Sequence, residues 1–190
     1  MKRIILAALL VICSAAALPA FDNTTYLGLS AGSSVDRYDD TGRGQMVYGA
    51  TVFGELLFED DWYGISFQAS ALSNFSSDLP SLNVSGGLGV SIKARMGMFS
   101  LTFMPGFSLR ADSRPAFRQA DFYTGVYLET VASFKVSQSF ALFAAWDASY
   151  YFHQIGEKGT RSFALTNTVT LGMGYQWDPS SPDQRRYVVY

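Results

Sequence analysis

The sequence predicts an all-β fold: one domain that forms an eight-stranded antiparallel up-and-down transmembrane β-barrel. Apolar residues recur at every second position through eight stretches, which indicates strands with one apolar and one polar face. Long and short connections alternate between these stretches, as in an up-and-down barrel. Charged residues make up only 16% of the 190 residues, whereas typical soluble domains carry about 25%.

Residues 1–20 have the pattern of a secretory signal peptide. A basic pair, Lys2-Arg3, precedes the apolar run Ile4–Cys13, and small residues continue to Ala20. That run is too short to cross a bilayer, which needs about 20 apolar residues. We expect cleavage after Ala20, with Ala17 as the alternative position.

Cys13 leaves two interpretations open. Lipidation would anchor a periplasmic protein by its acyl chain, but Ile12 stands where a lipidation site usually has a small residue. Removal with the signal instead leaves the mature chain without cysteine, and therefore without thiol or disulfide chemistry. The mature chain then has 12 basic against 16 acidic residues and no basic stripe, so nucleic acid is not expected as a partner.

The first four strands are predicted from their alternating apolar faces. In chain order they are Thr24–Gly32 (Thr25, Leu27, Leu29, Ala31), Met46–Phe58 (Met46, Tyr48, Ala50, Val52, Leu56, Phe58), Trp62–Ala71 (Tyr63, Ile65, Phe67, Ala69, Ala71) and Val84–Arg95 (Val84, Leu88, Val90, Ile92, Ala94). Each has about the length of a tilted membrane strand, ~9–11 residues or slightly more.

The last four strands follow the same pattern. They are Met98–Arg110 (Phe99, Leu101, Phe103, Phe107, Leu109), Phe122–Phe134 (Phe122, Val126, Leu128, Ala132), Phe140–Tyr151 (Phe140, Leu142, Ala144, Trp146, Ala148, Tyr150) and Phe163–Trp177 (Phe163, Leu165, Val169, Leu171, Met173, Tyr175, Trp177). Residues 21–177 therefore form the predicted barrel, and the proline-containing residues 178–190 form a short periplasmic tail.

The connections predict which end of the barrel faces which side of the membrane. The long ones are Ser33–Gln45, Leu72–Asn83, Ala111–Asp121 and Phe152–Arg161, and the short ones are Glu59–Asp61, Met96–Gly97 and Lys135–Ser139. Barrels of this type place short turns in the periplasm and long loops outside the cell. An even number of strands then puts both termini in the periplasm.

The apolar face is predicted to point at lipid. The opposite face consists mostly of Gly, Ser, Thr and Ala, which is too poor in charge for a soluble exterior, commonly about 25–35% charged. Aromatic residues of the apolar face lie near both strand ends, with aliphatic residues between them, as the two interfaces of a bilayer require. A soluble ligand-carrying barrel would instead turn its apolar face inward.

Six charged residues are expected inside the barrel. Placing the strands by their turns puts two acids and two bases in the periplasmic half of the lumen, as a balanced ion-pair plug, and a separate pair higher up. The lower set is Glu55, Lys93, Arg95 and Glu129, and the upper pair is Arg110 and Asp147. Charges at membrane depth must pair or meet water, so the alternative interpretation is a gated polar passage.

Pro105 and Gly106 interrupt the fifth strand on its lipid-facing side. Proline cannot donate to the ladder, so it predicts a bulge or a bend. The alternative is a side opening in the barrel wall.

The end of the last strand carries a recognisable pattern: Thr170, Gly172, Tyr175 and Trp177 stand at polar, glycine, aromatic and aromatic positions. This resembles the closing strand of bacterial outer-membrane barrels. With its strand pattern and aromatic residues, the mature chain resembles the small eight-stranded class that includes the OmpA transmembrane domain, OmpX and OmpW. The tail departs from that family, whose chains end at the closing aromatic residue.

The resemblance implies an outer-membrane location, with membrane lipid and the barrel-assembly machinery as partners. A structural or surface-interaction barrel with a plugged lumen is the first functional expectation, with surface ligands bound through the long loops. OmpW-like passage of small hydrophobic molecules is the alternative.

An enzyme would need a nucleophile and base around His153, the sole histidine. No metal or cofactor is expected, because no carboxylate or cysteine lies at ligand spacing from His153.

Overall fold

The computed structural model describes residues 22–38, 41–58, 62–74, 81–114, 119–154 and 163–177. The predicted signal peptide, 1–20, and the predicted tail, 178–190, lie outside the described residues. Within the described part, no helix is long and apolar enough to cross a membrane.

Eight antiparallel strands close into one barrel in chain order, which confirms the predicted fold class. The strands are β1 (Asp22–Tyr38), β2 (Thr41–Leu57), β3 (Tyr63–Asn74), β4 (Ser81–Met96), β5 (Phe99–Arg114), β6 (Gln119–Lys135), β7 (Phe140–Gln154) and β8 (Phe163–Trp177).

The barrel closes where the first strand meets the last. β1 pairs with β8 from Asn23 opposite Trp177 to Arg37 opposite Phe163. Lipid offers no partner to a free backbone N–H or C=O, and each such group costs several kcal/mol. The β1–β8 ladder satisfies these groups on both terminal strands, so the sheet has no open edge.

The hairpins at one end are longer than the alternation predicts. β1 and β2 stay paired to Tyr38 opposite Thr41, although the sequence predicts a connection over Ser33–Gln45. β5 and β6 likewise stay paired to Arg114 opposite Gln119. The prediction was wrong because these residues are polar at most positions: a hairpin beyond the membrane has water on both faces and loses the apolar alternation, but keeps its hydrogen bonds.

The apolar face points outward, as predicted. Leu29 is 78% exposed and Phe107 is 74% exposed, and Val126 and Trp146 also lie on the outside. Glu129, in contrast, is completely buried in the lumen. Outward-facing apolar residues on every strand are what a barrel in lipid requires, because the exterior must match hydrocarbon.

Aromatic rings pack against each other on the outer surface near the two ends of the barrel. Near the short turns the ring centroids of Phe58 and Tyr63, Phe99 and Phe134, and Phe140 and Tyr175 are 5.2, 4.8 and 5.2 Å apart. Near the long hairpins Tyr150 lies 6.1 Å from Phe152 and 6.0 Å from Phe163. Two such girdles fit the two interfaces of a bilayer.

The ladder is interrupted at Pro105, but no bulge forms there. β4–β5 pairing reaches Gly89 opposite Gly106, omits two positions and resumes at Ile92 opposite Phe103 in the same register. Of the predicted bulge or bend, the bulge is therefore wrong, because proline removes a hydrogen bond without inserting a residue. Ser66 Oγ donates to the carbonyl oxygen of Val90 (3.2 Å), the residue opposite Pro105. The irregularity in register lies elsewhere, between β6 and β7 at Thr124/Gly125.

A two-residue turn, Gly97–Met98, joins β4 to β5, where Met96 pairs with Phe99. Gly97 has a φ of 64°, which two-residue hairpin turns need at their first central position. A side chain there would meet no atom within 4 Å, so only the backbone conformation selects glycine.

Replacing Gly97 with valine is expected to lower the free energy of unfolding by about 1–2 kcal/mol, the cost of left-handed backbone for a residue with a Cβ. The measurement is the urea midpoint of the refolded barrel, followed by the gel shift between unheated and heated samples.

Gly86→Ala is the matched control for this substitution. Its new Cβ would meet only Gln68 O, at an ordinary 3.8 Å, and its backbone is not left-handed. We expect its midpoint to stay near that of the unchanged protein. A Gly97→Val midpoint equal to that of Gly86→Ala would contradict the account of the turn.

Candidate functional site

The lumen is the candidate functional site, because all six predicted site charges face it. An eight-stranded barrel leaves an interior just wide enough for side chains to fill. The side chains form three layers: an ionic layer at the short-turn end, an aromatic layer, and a polar layer towards the long hairpins.

The ionic layer is centred on Glu55, which is completely buried. Lys93 Nζ forms an ion pair with Glu55 Oε1. Tyr26 Oη donates to the same oxygen (3.2 Å), and Ser91 Oγ donates to Oε2 (3.0 Å). A buried charge is tolerated when it is paired and its remaining lone pairs are hydrogen-bonded. The structure therefore brings together one acid and one base of the predicted lower set.

Arg95 lies next to this ion pair in a cavity of about 130 Å³ at the short-turn end. We call it the short-turn cavity; Lys93, Arg95 and Lys135 supply its basic residues. Lys135 Nζ donates to Gln176 Oε1 (3.2 Å), a side chain of the closing strand. Of the two acids predicted for this half of the lumen, Glu55 lies here as the partner of Lys93. No Asp or Glu among the described residues lines the cavity itself.

The aromatic layer consists of Tyr26, Phe53 and Phe143, from β1, β2 and β7. Tyr26 and Phe53 are stacked at 4.9 Å between ring centroids, and Phe143 meets their edges at 5.2 and 5.1 Å. All three rings are buried, and they belong to one apolar cluster with Met104, Tyr127, Val131 and Ala145. These side chains meet inside the barrel, between its two polar layers.

Two opposed glycines lie beside the aromatic layer where β1 and β8 approach each other. Gly28 of β1 pairs with Gly172 of β8, and a Cβ on Gly28 would lie only 2.8 Å from the ring of Phe143. A Cβ on Gly172 would lie 2.5 Å from Cα of Gly28. The glycine of the predicted closing-strand pattern is thus required by the close approach of the β1 backbone, since its Cβ would also lie 2.1 Å from Leu27 O.

Glu129 does not join the lower ion-pair set, so that part of the predicted plug is wrong. Within the described barrel neither of its carboxylate oxygens has a hydrogen-bond partner, although the residue is completely buried. It stands directly opposite Asp147 in the β6–β7 register. Ser149 Oγ donates to both oxygens of Asp147 (2.9 and 3.2 Å). The register of β6 and β7 places the two acids together.

Arg110 pairs with Asp112, and the predicted pair with Asp147 is wrong. Arg110 Nε and Nη2 donate to the two oxygens of Asp112 (2.5 and 2.9 Å), a bidentate arrangement between residues on the same face of β5. Nη1 donates to Thr166 Oγ1 (3.0 Å), and the guanidinium lies 5.4 Å from the Tyr151 ring centroid. The sequence prediction placed Asp112 in a loop, whereas β5 continues through it.

A small cavity lies between Arg110 and Asp147. Its volume of about 20 Å³ holds roughly one water, which needs about 10–15 Å³. Leu72 and a larger set of hydroxyl and amide side chains, including Ser149 and Gln68, line the rest of it. The polar layer is therefore filled by side chains and leaves space for a single solvent molecule at this point.

The remaining closing-strand residues have separate roles. Thr170 Oγ1 lies 2.8 Å from Ser30 Oγ, which lies 2.6 Å from Thr51 Oγ1, so a row of hydroxyls crosses the β8–β1–β2 seam inside the lumen. Tyr175 faces outward and packs against Phe140. Trp177 pairs with Asn23 through its backbone, and its side chain lies outside what the structure describes.

The sequence interpretation missed the aromatic layer. Tyr26, Phe53 and Phe143 occupy inward positions of their strands, which were expected to carry only small and polar residues. The available signal was their phase: each stands between two lipid-facing positions, as Tyr26 does between Thr25 and Leu27. An aromatic residue in the inward phase of a narrow barrel must pack into the lumen.

The described residues contain no group of three or more His, Cys, Asp or Glu side chains that could hold a metal ion. The side chain of His153, around which an enzymatic site would have to form, lies outside the described residues. Most charged side chains at the tips of the long hairpins also lie outside the described residues. The expected binding of surface ligands through the long loops therefore stays a prediction.

Solved structures of other proteins share this fold. Neisserial surface protein A matches with a TM-score of 0.55 at 15% identity, over 78% of this chain and 96% of that one. The outer membrane protein OprG from Pseudomonas aeruginosa matches with a TM-score of 0.53 at 11% identity, over 83% of this chain and 96% of that one. Ail, the attachment invasion locus protein of Yersinia pestis, was solved in complex with the heparin analogue sucrose octasulfate. Ail matches with a TM-score of 0.52 at 14% identity, over 82% of this chain and 99% of that one.

These matches show that the chain has the fold of the small eight-stranded outer-membrane barrels, which confirms the resemblance. No protein-family model matches the chain, and no curated protein matches it. At such low identity the likeness concerns the fold alone.

The ion pair of the short-turn end gives a stability prediction. Lys93→Met leaves the buried Glu55 carboxylate without its cation, and we expect a loss of about 3–5 kcal/mol in the free energy of unfolding. The double variant Glu55→Gln/Lys93→Met removes both charges and should recover most of that loss. Urea midpoints in the same detergent measure both. A single variant as stable as the unchanged protein would contradict the pairing.

Proposed function

We propose that this chain is an integral outer-membrane barrel with a largely plugged lumen and a structural or surface-interaction role. Its apolar exterior and two aromatic girdles support a place in a bilayer. Proteins that share its fold include an outer membrane protein and a surface protein. The signal peptide predicted over residues 1–20 supports export across the inner membrane.

The aromatic layer carries this proposal. Three mutually packed rings and the four side chains of their cluster fill the lumen between the ionic and polar layers. An ion that crossed the barrel would have to leave water and pass buried apolar groups, which is very costly in a medium of low polarity. A lumen filled in this way supports a function that depends on the two ends of the barrel and not on passage through its interior.

The proposed orientation assigns those ends. The short turns and both termini lie in the periplasm, and the long hairpins lie outside the cell. β1 with β2, and β5 with β6, extend as paired strands towards the outer tips, which supports surface contacts through these hairpins. Membrane lipid surrounds the barrel, and the assembly machinery reads the closing strand at Thr170–Trp177. No cofactor is part of this proposal.

Conductance tests the plug. The refolded protein in a planar bilayer is expected to give no channel steps. Phe143→Ala removes one ring of the aromatic layer beside Gly28 and Gly172, and it is expected to give small open steps because water can then enter. The substitution also costs stability, about 3–5 kcal/mol, so heat-modifiable migration must first show that the variant is folded.

Phe107→Ala is the control for the aromatic substitution, since this ring points to lipid and its loss leaves the lumen unchanged. It should stay silent. Regular steps from the unchanged protein would refute the plugged barrel and support a gated polar passage.

A second function, passage of small hydrophobic molecules through the wall, is favoured by one observation. The β4–β5 ladder omits two pairs beside Pro105, so the wall lacks backbone hydrogen bonds there. The hydrogen bond from Ser66 to Val90 partly compensates for the lost pairs. Pro105 does not line either of the two cavities described above.

Pro105→Val tests this second function, because valine restores an N–H and allows the missing pairs to form. If apolar solutes pass at this gap, their uptake into vesicles that contain the protein should slow several-fold while the barrel stays folded. Leu109→Val, on the same strand and the same face, is the control. Equal uptake by both variants would reject the lateral route.

A further inference from the structure

We propose that Glu129 is a pH-sensitive element of the lumen plug. Its carboxyl group holds a proton while the plug is dry, and loss of that proton admits water and opens the barrel. The proposed plugged lumen is the premise, and the acid adds a condition under which the plug opens. On opening, the O–H bond of the carboxyl group breaks and the proton passes to water.

Glu129 stands inside the apolar cluster and not at its edge. On its own strand Tyr127 and Val131 lie two positions to either side and share its inward face, and Met104 of β5 stands opposite it. All three side chains belong to the buried cluster that contains the aromatic layer. The carboxyl group at this position is therefore part of what fills the lumen between the ionic and polar layers.

Within the described barrel no cation neutralises this carboxyl group. Glu129 is completely buried, and neither of its carboxylate oxygens has a hydrogen-bond partner. An ionised carboxylate without a partner costs far more in an apolar medium than a protonated one, so we infer that the group keeps its proton. It lines neither of the two cavities described above, so neither offers it room for a counter-ion, whereas a proton needs no such room.

Asp147 is better placed to carry a negative charge. It stands directly opposite Glu129 in the β6–β7 register, where facing Cβ atoms are about 4.5–5.5 Å apart. Its two oxygens accept from Ser149 Oγ, and it lines the small cavity that has room for about one water. Two carboxylates this close repel each other when both are ionised. The charge therefore rests on Asp147 and the proton on Glu129.

Other titratable groups on the strands around this pair are neutral or already paired. They are Tyr26 on β1, Tyr127 on β6, Tyr151 on β7, Arg110 with Asp112 on β5, and Lys93 on β4 with Glu55 on β2. The phenols carry no charge near neutral pH. Both oxygens of Asp112 hold the guanidinium of Arg110, and Lys93 forms its ion pair with Glu55. β3 and β8 contribute hydroxyl and amide groups to this part of the lumen, which do not titrate.

Loss of the proton changes what the plug can exclude. A charged carboxylate at membrane depth needs water or a cation, and either can reach Glu129 only by entering the apolar cluster. Water around Glu129 would connect the ionic layer with the polar layer, and ions could then cross. We expect a closed barrel at about pH 6 and an open one at about pH 9, below the ordinary titration of tyrosine and lysine near pH 10.

Infrared spectroscopy of the refolded full-length protein, in a detergent without ester groups, tests the proton. The difference spectrum between about pH 6 and about pH 9 should contain the C=O band of a protonated carboxyl group, shifted in D2O. Glu129→Gln should lose this band. The matched control Glu55→Gln/Lys93→Met should retain it, because the Glu55 carboxylate is already ionised in its pair with Lys93. Absence of the band from the unchanged protein would overturn the proposal.

Planar-bilayer conductance tests the opening. Channel steps should appear in the unchanged protein as the pH rises, and they should be absent throughout from Glu129→Gln, whose neutral amide cannot ionise. Asp147→Asn removes the neighbouring negative charge, so we expect the band to be lost and the steps to begin at a lower pH. This variant gives an independent reading if Glu129→Gln fails to fold, which heat-modifiable migration shows.

The outcomes separate this proposal from its premise. A band that persists at about pH 9, or a band that is lost without channel steps, would overturn the pH-sensitive opening. Steps that remain in folded Glu129→Gln would overturn it as well, because another group would then open the barrel. Steps already present in the unchanged protein at about pH 6 would instead refute the plugged lumen on which the proposal rests.

Discussion

Backbone hydrogen bonding in lipid is the constraint on which the rest of this structure depends. Because hydrocarbon cannot satisfy a free N–H or C=O, the sheet must close, and β1 must pair with β8 along most of their length. Closure with eight strands fixes a narrow lumen, and a narrow lumen must be filled by side chains. The interruption of the β4–β5 ladder supports this view, since Ser66 hydrogen-bonds the carbonyl oxygen of Val90 opposite Pro105.

Filling the lumen separates its charges into groups that do not meet. Glu55 and Lys93 lie on one side of the aromatic layer, and Arg110 and Asp112 lie towards the long hairpins. Each pair is completed by nearby hydroxyl groups, Ser91 in the first and Thr166 in the second. Glu129 is the exception, since its carboxylate contacts no donor in the described barrel. The lumen is thus built from local pairs and not from one continuous polar path.

The fold could be predicted from the sequence because a two-residue period reports directly which side chains face out. Leu27, Leu29 and Trp146 all lie on the predicted face. The contacts inside the lumen were harder to predict. The alternating pattern shows that the side chain of Glu129 faces inward, but it does not show at what height along the barrel axis Glu129 lies. Height depends on the register between strands, which places Glu129 opposite Asp147. Asp112 was missed for a related reason, since a polar hairpin continues β5 where the alternating pattern ends.

Some features of this barrel follow from its fold, and others follow from its particular residues. A fold shared at 11–15% identity accounts for the closed wall and the girdles, which any sequence with the right period can build. It does not account for three rings packed beside opposed glycines, nor for basic side chains around a cavity at one end. Gly28 and Gly172 are required first by the close approach of β1 and β8, because a Cβ on Gly172 would lie 2.1 Å from Leu27 O and one on Gly28 would lie 2.6 Å from Leu171 O. A Cβ on Gly28 would also meet the ring of Phe143 at 2.8 Å, so the choice of glycine there and the packing of the three rings are features of this sequence and not of the architecture.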